Sequence, residues 1–327
     1  MKTSRTTLIN KLFTSKPSFR VWGSFLILVA SYTFLIYKLL TFNHYHELAT
    51  QWKQMPLTQF RWLAGVFILL PINWLLEAIK WKRLIAIIED ISIKKSYNAV
   101  LAGISTGFFT PNRVGEMVGR ILYLDADHRK AGVTLSLVNS LTQNLVITIV
   151  GVPACLIFFT FTSGTLEADI ADFILAMICF ALLFGLFYFA LPLISKKIEG
   201  SSIGSKVGTY TDCLSDYKRT DLIVIIAISM LRFFVFATQF YLMLRFFGIH
   251  LDPWQAIIAI PSSYLFVTFT PSVAFSEAAV RSSYAVLFIG AFSGQIVGIA
   301  LAGVAIWAVN FIIPMLVGSV VMMRKKE

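Results

Sequence analysis

Six stretches of this chain are long and apolar enough to cross a lipid bilayer: residues 21–41, 62–84, 133–161, 173–195, 222–247 and 295–323. A transmembrane helix needs about 20 predominantly apolar residues. No water is present in hydrocarbon to satisfy a stray backbone group, so such runs must form helices. The composition agrees. Of 327 residues, 57% are hydrophobic and 14% charged, against about 45–50% and about 25% in a soluble domain. A soluble enzyme is excluded, and the expected fold is an all-α polytopic bundle. The first run is too long for a signal peptide, and no small-residue cleavage site follows it.

The formal charge of +11 is explained by sidedness. With the N-terminus placed inside, 22 of the 28 basic residues fall on the cytoplasmic side, and only Lys53, Arg61 and Arg245 fall outside. That asymmetry predicts cytoplasmic N- and C-termini. It assigns residues 1–20 as a basic cytoplasmic N-terminus and 196–221 as a cytoplasmic loop of one membrane domain spanning 1–327. The bases are read as topology and lipid contacts, not as a nucleic-acid surface. Three bases remain at membrane depth, Lys38 near the outer end of the first run, Arg232 and Arg281. The cysteines, Cys155, Cys179 and Cys213, form no CxxC pair, so neither a disulfide framework nor a zinc site is expected. His44 and His46 are read as part of an exposed polar turn, and no metal or cofactor is expected.

Two further stretches, 97–129 and 254–290, are apolar but interrupted, one at Thr110-Pro111 and the other at Thr270-Pro271. Their flanking runs require both ends of the first to be cytoplasmic and both ends of the second to be external. Each is therefore expected to be a re-entrant helical hairpin, the two entering from opposite faces. Proline lacks an N–H and disfavours helix in the preceding residue, which makes each Thr-Pro a helix break. The two breaks share more than proline. Phe109-Thr110-Pro111 is followed by Glu116 and Arg120, and Phe269-Thr270-Pro271 by Glu277 and Arg281. Aligning them takes one gap. Related elements of inverted topology are the usual plan of secondary transporters, with the site near the midplane.

The helix starting after each break would point the positive end of its dipole into the bilayer, where it favours an anion. Glu and Arg at i, i+4 share a helix face and can pair. Each pair could do no more than tie down its own helix; the occurrence of two inverted copies favours function. Other polar groups at membrane depth are Arg232, Gln239, Asn139, Gln143, Asn73, Glu77 and Asn310. Asn139, Gln143 and Asn310 are read as joining helices; Glu77 either snorkels beside Lys80 or belongs to the polar cavity. Four arginines (Arg113, Arg120, Arg232, Arg281) against three glutamates (Glu77, Glu116, Glu277) leave one positive charge in excess. That suits a phosphate-like anion, which the arginine fork can hold with two hydrogen bonds.

Three passages resemble the lysylphosphatidylglycerol synthase transmembrane-region family. Asn73-Trp74-Leu75-Leu76-Glu77-Ala78 running to Lys80-Trp81-Lys82-Arg83-Leu84 is similar to its second helix. Thr110-Pro111-Asn112-Arg113-Val114-Gly115-Glu116, with Arg120 following, resembles its P-x-R-x-G-[ED] motif. Ser276-Glu277-Ala278-Ala279-Val280-Arg281 matches its late glutamate motif in part, with Ser272-Val273-Ala274-Phe275 where the family usually has a glycine-rich run. The resemblance implies a flippase-like, multi-pass protein of a bacterial inner membrane that moves a phospholipid or lipid-linked precursor. It places Arg113, Glu116, Arg120 and Glu277 at motif positions. Aminoacyl-transferring members carry a large soluble C-terminal domain. This sequence ends four residues after Met323, and it is not expected to be such a synthase by itself.

Two other readings stand beside translocation. A membrane-embedded lipid phosphatase would share a plan of inverted hairpins, but P-G-x-S-R-S, H-E-x-x-H and a membrane Asp pair are absent from the sequence. An accessory subunit serving a partner enzyme, or assembling with copies of itself, would tolerate charge-neutral substitutions at Arg113, Glu116, Glu277 and Arg281. No ATP-binding loop is present, so any drive would come from an ion, potential or substrate gradient.

Overall fold

The computed structural model describes residues 56–108, 110, 113–163, 168–199, 204–271 and 274–324. The expected run 21–41, the basic segment 1–20, the turn holding His44 and His46, and Pro111 lie outside them. The described residues are helical, with no strand among them. They form α1 (Phe60–Ile85), α2 (Ile93–Gly107), α3 (Gly115–Ile121), α4 (Arg129–Ser163), α5 (Ala168–Glu199), α6 (Gly204–Thr211), α7 (Arg219–Phe246), α8 (Pro253–Phe269), α9 (Ala274–Ile289), α10 (Ile296–Trp307) and α11 (Ile313–Arg324). A π-helical segment, Ala308–Ile312, joins the last two into one rod. Five continuous spans result: α1, α4, α5, α7 and the α10–α11 rod. Pro71, Pro153 and Pro192 sit inside three of them, as membrane helices tolerate.

The two interrupted stretches are hairpins, as their Thr-Pro breaks predict. The first is shifted a few residues from the expected limits, because α4 already begins at Arg129. At about 1.5 Å per residue, the 15 residues of α2 reach only about 22 Å, short of a crossing. Ser92 starts α2 by accepting a hydrogen bond from Lys95 N–H. Asp252 and Gln255 form a capping box at the start of α8, with Pro253 in its first turn. Thr270 ends α8 in an extended conformation (φ −85°, ψ 115°), as the residue before a proline prefers.

The order span, hairpin, span occurs twice: α1, α2–α3, α4, and then α7, α8–α9, α10–α11. The two leading spans run antiparallel. Arg83 of α1 meets Asp221 of α7 at one end, and Phe60 meets Phe246 at the other. The hairpins are exchanged between the halves. The first packs α2 along α11, and the second packs α8 along α4. Ser105 donates to Met315 O at 2.7 Å. A Cβ on Gly318 would lie 2.1 Å from Leu101 O, and one on Gly151 would lie 2.8 Å from Leu265 Cβ. The open end of the first hairpin lies at the Arg83–Asp221 end of the bundle, where Asp125 N–H donates to Glu89. The open end of the second lies at the opposite end, where Trp254 packs on Phe161. The hairpins therefore enter from opposite ends, and their tips meet inside.

The first hairpin closes tightly because its facing positions are small. Gly103 and Gly107 on α2 lie against Glu116 and Arg120 of α3, and Gly115 and Gly119 on α3 lie against Ala102 and Thr106 of α2. A Cβ on Gly115 would lie 2.3 Å from Thr106 O, and one on Gly119 would lie 2.5 Å from Ala102 O. Small residues four apart let helix backbones approach closely in membranes. Thr106 exploits the approach, donating to Gly115 O at 2.7 Å.

At the end of the bundle that holds Arg83 and Asp221, Glu89, Asp125 and His128 bring potential metal-ligand atoms within 4.8 Å of one another. Lys95 Nζ stands 2.8 Å from Glu89 Oε1, where a cation would sit. Burial works against ionisation of Glu89, but hydrogen bonds from Lys95, Asp125 N–H and His128 outweigh it and hold the carboxyl below its ordinary range. A depressed carboxyl contributes stability above the ordinary range and loses it as pH falls through the depressed value. Glu89→Gln should therefore flatten the acid side of the thermal-stability profile in detergent. Parallel acid limbs for mutant and wild type would contradict this.

Candidate functional site

The hairpin tips are joined by Arg113. Its Nη2 lies 2.6 and 2.7 Å from the two carboxylate oxygens of Glu277, across 164 residues of sequence. Arg113 is also the one described non-glycine residue with positive φ, at 58°. Such a conformation costs about 1–3 kcal/mol and persists where its surroundings enforce it. Here the guanidinium lies 3.5 Å over the ring of Phe311, in the π-helical segment. Arg281 is 5.3 Å from the same ring and 3.2 Å from Glu277. Two irregular backbones, one beside a hairpin break and one inside a span, thus converge on Phe311. Single-turn π segments recur at functional sites.

A second cluster lies deeper, around Glu77. Its carboxylate is 2.9 Å from Lys80, 2.7 Å from Arg120 and 3.1 Å from Arg232, and it accepts a hydrogen bond from Asn139 Nδ2 at 2.7 Å. Glu77 is 3% exposed and Lys80 fully buried. Of the two readings of Glu77, snorkelling beside Lys80 does not hold: three cations and an amide keep it in the bundle interior. Buried charges persist only when paired and hydrogen-bonded, and Glu77 is paired with cations from α1, α3 and α7. Glu116 links the two clusters, 3.2 Å from Arg120 and 3.8 Å from Arg113. Both i, i+4 pairs form, but each is one link of a chain running Arg281, Glu277, Arg113, Glu116, Arg120, Glu77 and Arg232. Arg232 continues it through Asn73 at 2.9 Å, and Asn73 Nδ2 donates to Asn310 Oδ1 at 3.1 Å.

The structure brings together all six charged residues expected at the site: Arg113, Glu116, Arg120, Arg232, Glu277 and Arg281. It adds Lys80 to the counted charges, so five bases face three acids and the excess is two positive charges. Asn139, Gln143 and Asn310 join helices as expected, and all three are also members of the polar chain. Gln239 is not a member; its amide donates to Val66 O. Thr110 Oγ1 accepts from Gly115 N–H at 2.8 Å and so occupies the start of α3, while Glu116 stands in its first turn. Glu277 does the same in α9. The expectation that the helix starts bind an anion through open N–H groups is therefore revised. Their dipoles already face carboxylates, and the free donors are side chains. Arg120 Nη1, Arg281 Nε and Gln143 Nε2 are buried without a hydrogen-bond partner among the described residues. Thr270 Oγ1 contacts Tyr284 OH at 2.8 Å rather than any charged group.

Phe311 was not legible as part of the site, since one phenylalanine among 29 carries no signal. Its neighbour Asn310 gave the only hint.

Five spans of described helix, two hairpins inserted from opposite ends and a buried ion-pair chain between their tips define a multi-pass membrane protein built around a polar centre. The family model described as the lysylphosphatidylglycerol synthase TM region matches residues 21–318, and the chain belongs to that family. This is a membrane-domain family associated with lipid headgroup handling. Comparison with curated proteins and with solved structures finds no match.

Proposed function

We propose that the chain translocates the anionic headgroup of a phospholipid or lipid-linked precursor between membrane leaflets, without catalysing a covalent change. In this reading it sits in a bacterial inner membrane with both termini cytoplasmic. The observation that carries the proposal is the Arg113–Glu277 contact between hairpins of opposite entry, placed in a polar chain with two positive charges in excess. A phosphate arriving at the tips would compete with the Glu277 carboxylate for the Arg113 fork, since each presents a pair of anionic oxygens that arginine binds with paired N–H groups. Arg281 Nε supplies an unused donor beside it. Acyl chains would stay in the surrounding hydrocarbon, which the exposed leucines of α5 mark.

The test is reconstitution into vesicles carrying a fluorescent phosphatidylglycerol in both leaflets, with reduction of the outer label as the readout. Wild type should expose the inner pool. Arg113→Ala and Arg281→Ala should slow exposure severalfold at equal protein incorporation. Equal rates in wild type, both variants and empty vesicles would sink the proposal.

A further inference from the structure

We infer that a crevice between α4, α5 and α8 is a binding site for one acyl chain of a membrane lipid. This rests on the transport reading and adds to it the part of the lipid that the polar centre cannot hold.

The crevice has a volume of about 420 Å³ and is open rather than enclosed. That falls within the roughly 300–1,000 Å³ typical of small-molecule sites. Its cause is legible in the residues. Phe173 of α5 meets Phe266 of α8 with ring centroids 6.4 Å apart, and Phe180 meets Phe269 at 5.4 Å. These two ring pairs stand one above the other as pillars, seven residues apart on α5. Between them α5 presents Ala176, whose small side chain leaves the gap unfilled. On the other side, Gly151 lets α4 close directly onto α8. The helix that stands off is therefore α5, which is also the least buried span.

The occupant must be apolar. No charged residue lines the crevice, and its only polar side chains are two threonines. Both hydroxyls are already committed: Thr148 donates to Asn144 O, and Thr270 bonds Phe266 O and Tyr284 OH. Nothing remains to bind a polar ligand. The occupant must also be one that hydrocarbon supplies. Leu175, Leu182, Leu183 and Leu186 of α5 are 59–69% exposed, so this side of the protein meets lipid tails. The crevice ends at Thr270, the break of the second hairpin. Seven and eleven residues further on are Glu277 and Arg281 of the polar centre. A tail lying between the pillars would thus reach the tip of the hairpin that carries the headgroup contacts. A lipid held there is anchored by its chain before its headgroup engages.

The experiment uses the full chain in vesicles of phosphatidylethanolamine and phosphatidylglycerol, doped with a phospholipid bearing a photoactivatable diazirine near the end of one acyl chain. After irradiation, peptide mapping should show labelling of Met177 several-fold above that of Leu183 and Leu186, which face bulk lipid. Ala176→Phe should abolish the excess, whereas Leu183→Phe should leave it intact. If Ala176→Phe does not fold, the wild-type ratio alone decides. Labelling of Met177 no stronger than that of the outer leucines overturns the inference, and so does excess labelling that survives in folded Ala176→Phe. The first result would also follow if residues 21–41 of the chain, or a second copy, filled the crevice. Labelling reads occupancy without movement. A labelled crevice in a protein that exposes no inner-leaflet lipid would keep this site and remove the transport reading, and transport without labelling would do the reverse.

Discussion

Glu77→Gln should lower the unfolding temperature of the detergent-solubilised protein by roughly 10 °C, corresponding to about 3–5 kcal/mol for removing one partner of a buried ion pair. Lys80 and Arg120 are 0% and 3% exposed, and Arg232 also points at the same carboxylate. Without Glu77, those cations keep their repulsion and lose their common acceptor. Glu116→Gln provides the comparison. Its side chain is 20% exposed, so water can take over part of its role, and its effect should be a fraction of the first. Thermal unfolding followed by intrinsic fluorescence measures both. Equal unfolding temperatures for the two variants would show that Glu77 is not the hub. A further check lies in the double variant Glu77→Gln/Lys80→Met, which removes a charge of each sign and should recover part of the loss. Residues in one ion-pair network couple in this way, and distant ones do not.

The second large effect belongs to the glycines of the first hairpin. Gly115→Ala places a Cβ 2.3 Å from the Thr106 carbonyl oxygen, and Gly318→Ala places one 2.1 Å from Leu101 O. Backbone atoms within a helix cannot step aside as a flexible side chain can. The arms of the hairpin must separate in the first case, and α2 must leave α11 in the second. Overpacking of this kind costs about 1–3 kcal/mol or more. Separation of α3 also withdraws Arg120 from Glu77, so the loss propagates into the polar centre. Gly185→Ala on α5 meets nothing within 4 Å. It should behave as wild type in size-exclusion chromatography and thermal unfolding, while Gly115→Ala and Gly318→Ala lose monodisperse protein. If all three behaved alike, the close packing described for the hairpin would be wrong.

The parts of the molecule that follow from local rules were readable in the sequence. Five of the six apolar runs gave spans within a few residues of their limits, the run 21–41 lying outside the described residues, because burying a backbone in hydrocarbon leaves little choice but helix. Thr110-Pro111 and Thr270-Pro271 gave the hairpins, because a proline breaks the chain of helical hydrogen bonds. Pairing of Glu116 with Arg120, and of Glu277 with Arg281, followed from i, i+4 spacing. The rest depends on long-range geometry. Hydropathy places Glu77 near one end of a span but does not say which neighbour its face meets, and an i, i+3 lysine near a helix end reads equally well as a snorkelling pair. Its place in the interior is decided by Arg120 and Arg232, which are 43 and 155 residues away in the sequence. Arg113 reaches Glu277 only because two hairpins enter from opposite ends. Gly103, Gly107, Gly115 and Gly119 carried a readable signal of small residues at four-residue spacing, which the sequence reading did not use. The π segment at Ala308–Ile312 had a signal too, since Pro314 just beyond it has no N–H to bond Asn310 O, but proline more often kinks a membrane helix than widens a turn.

The exchange of hairpins between the halves has a consequence for how the protein is made. The first hairpin rests on α11, and the contact between Ser105 and Met315 spans 210 residues. At about 5–20 residues per second of synthesis, roughly 10–40 seconds pass between the emergence of the two partners. During that interval the four-glycine hairpin, with Glu116 and Arg120 on its inner face, has been made but lacks the wall it will lean on. The second hairpin is in the opposite situation, since α4 precedes it and is already waiting. Biogenesis is therefore asymmetric in a molecule whose halves share one plan. Truncation ahead of α11 would therefore strand the oldest part of the chain rather than the newest.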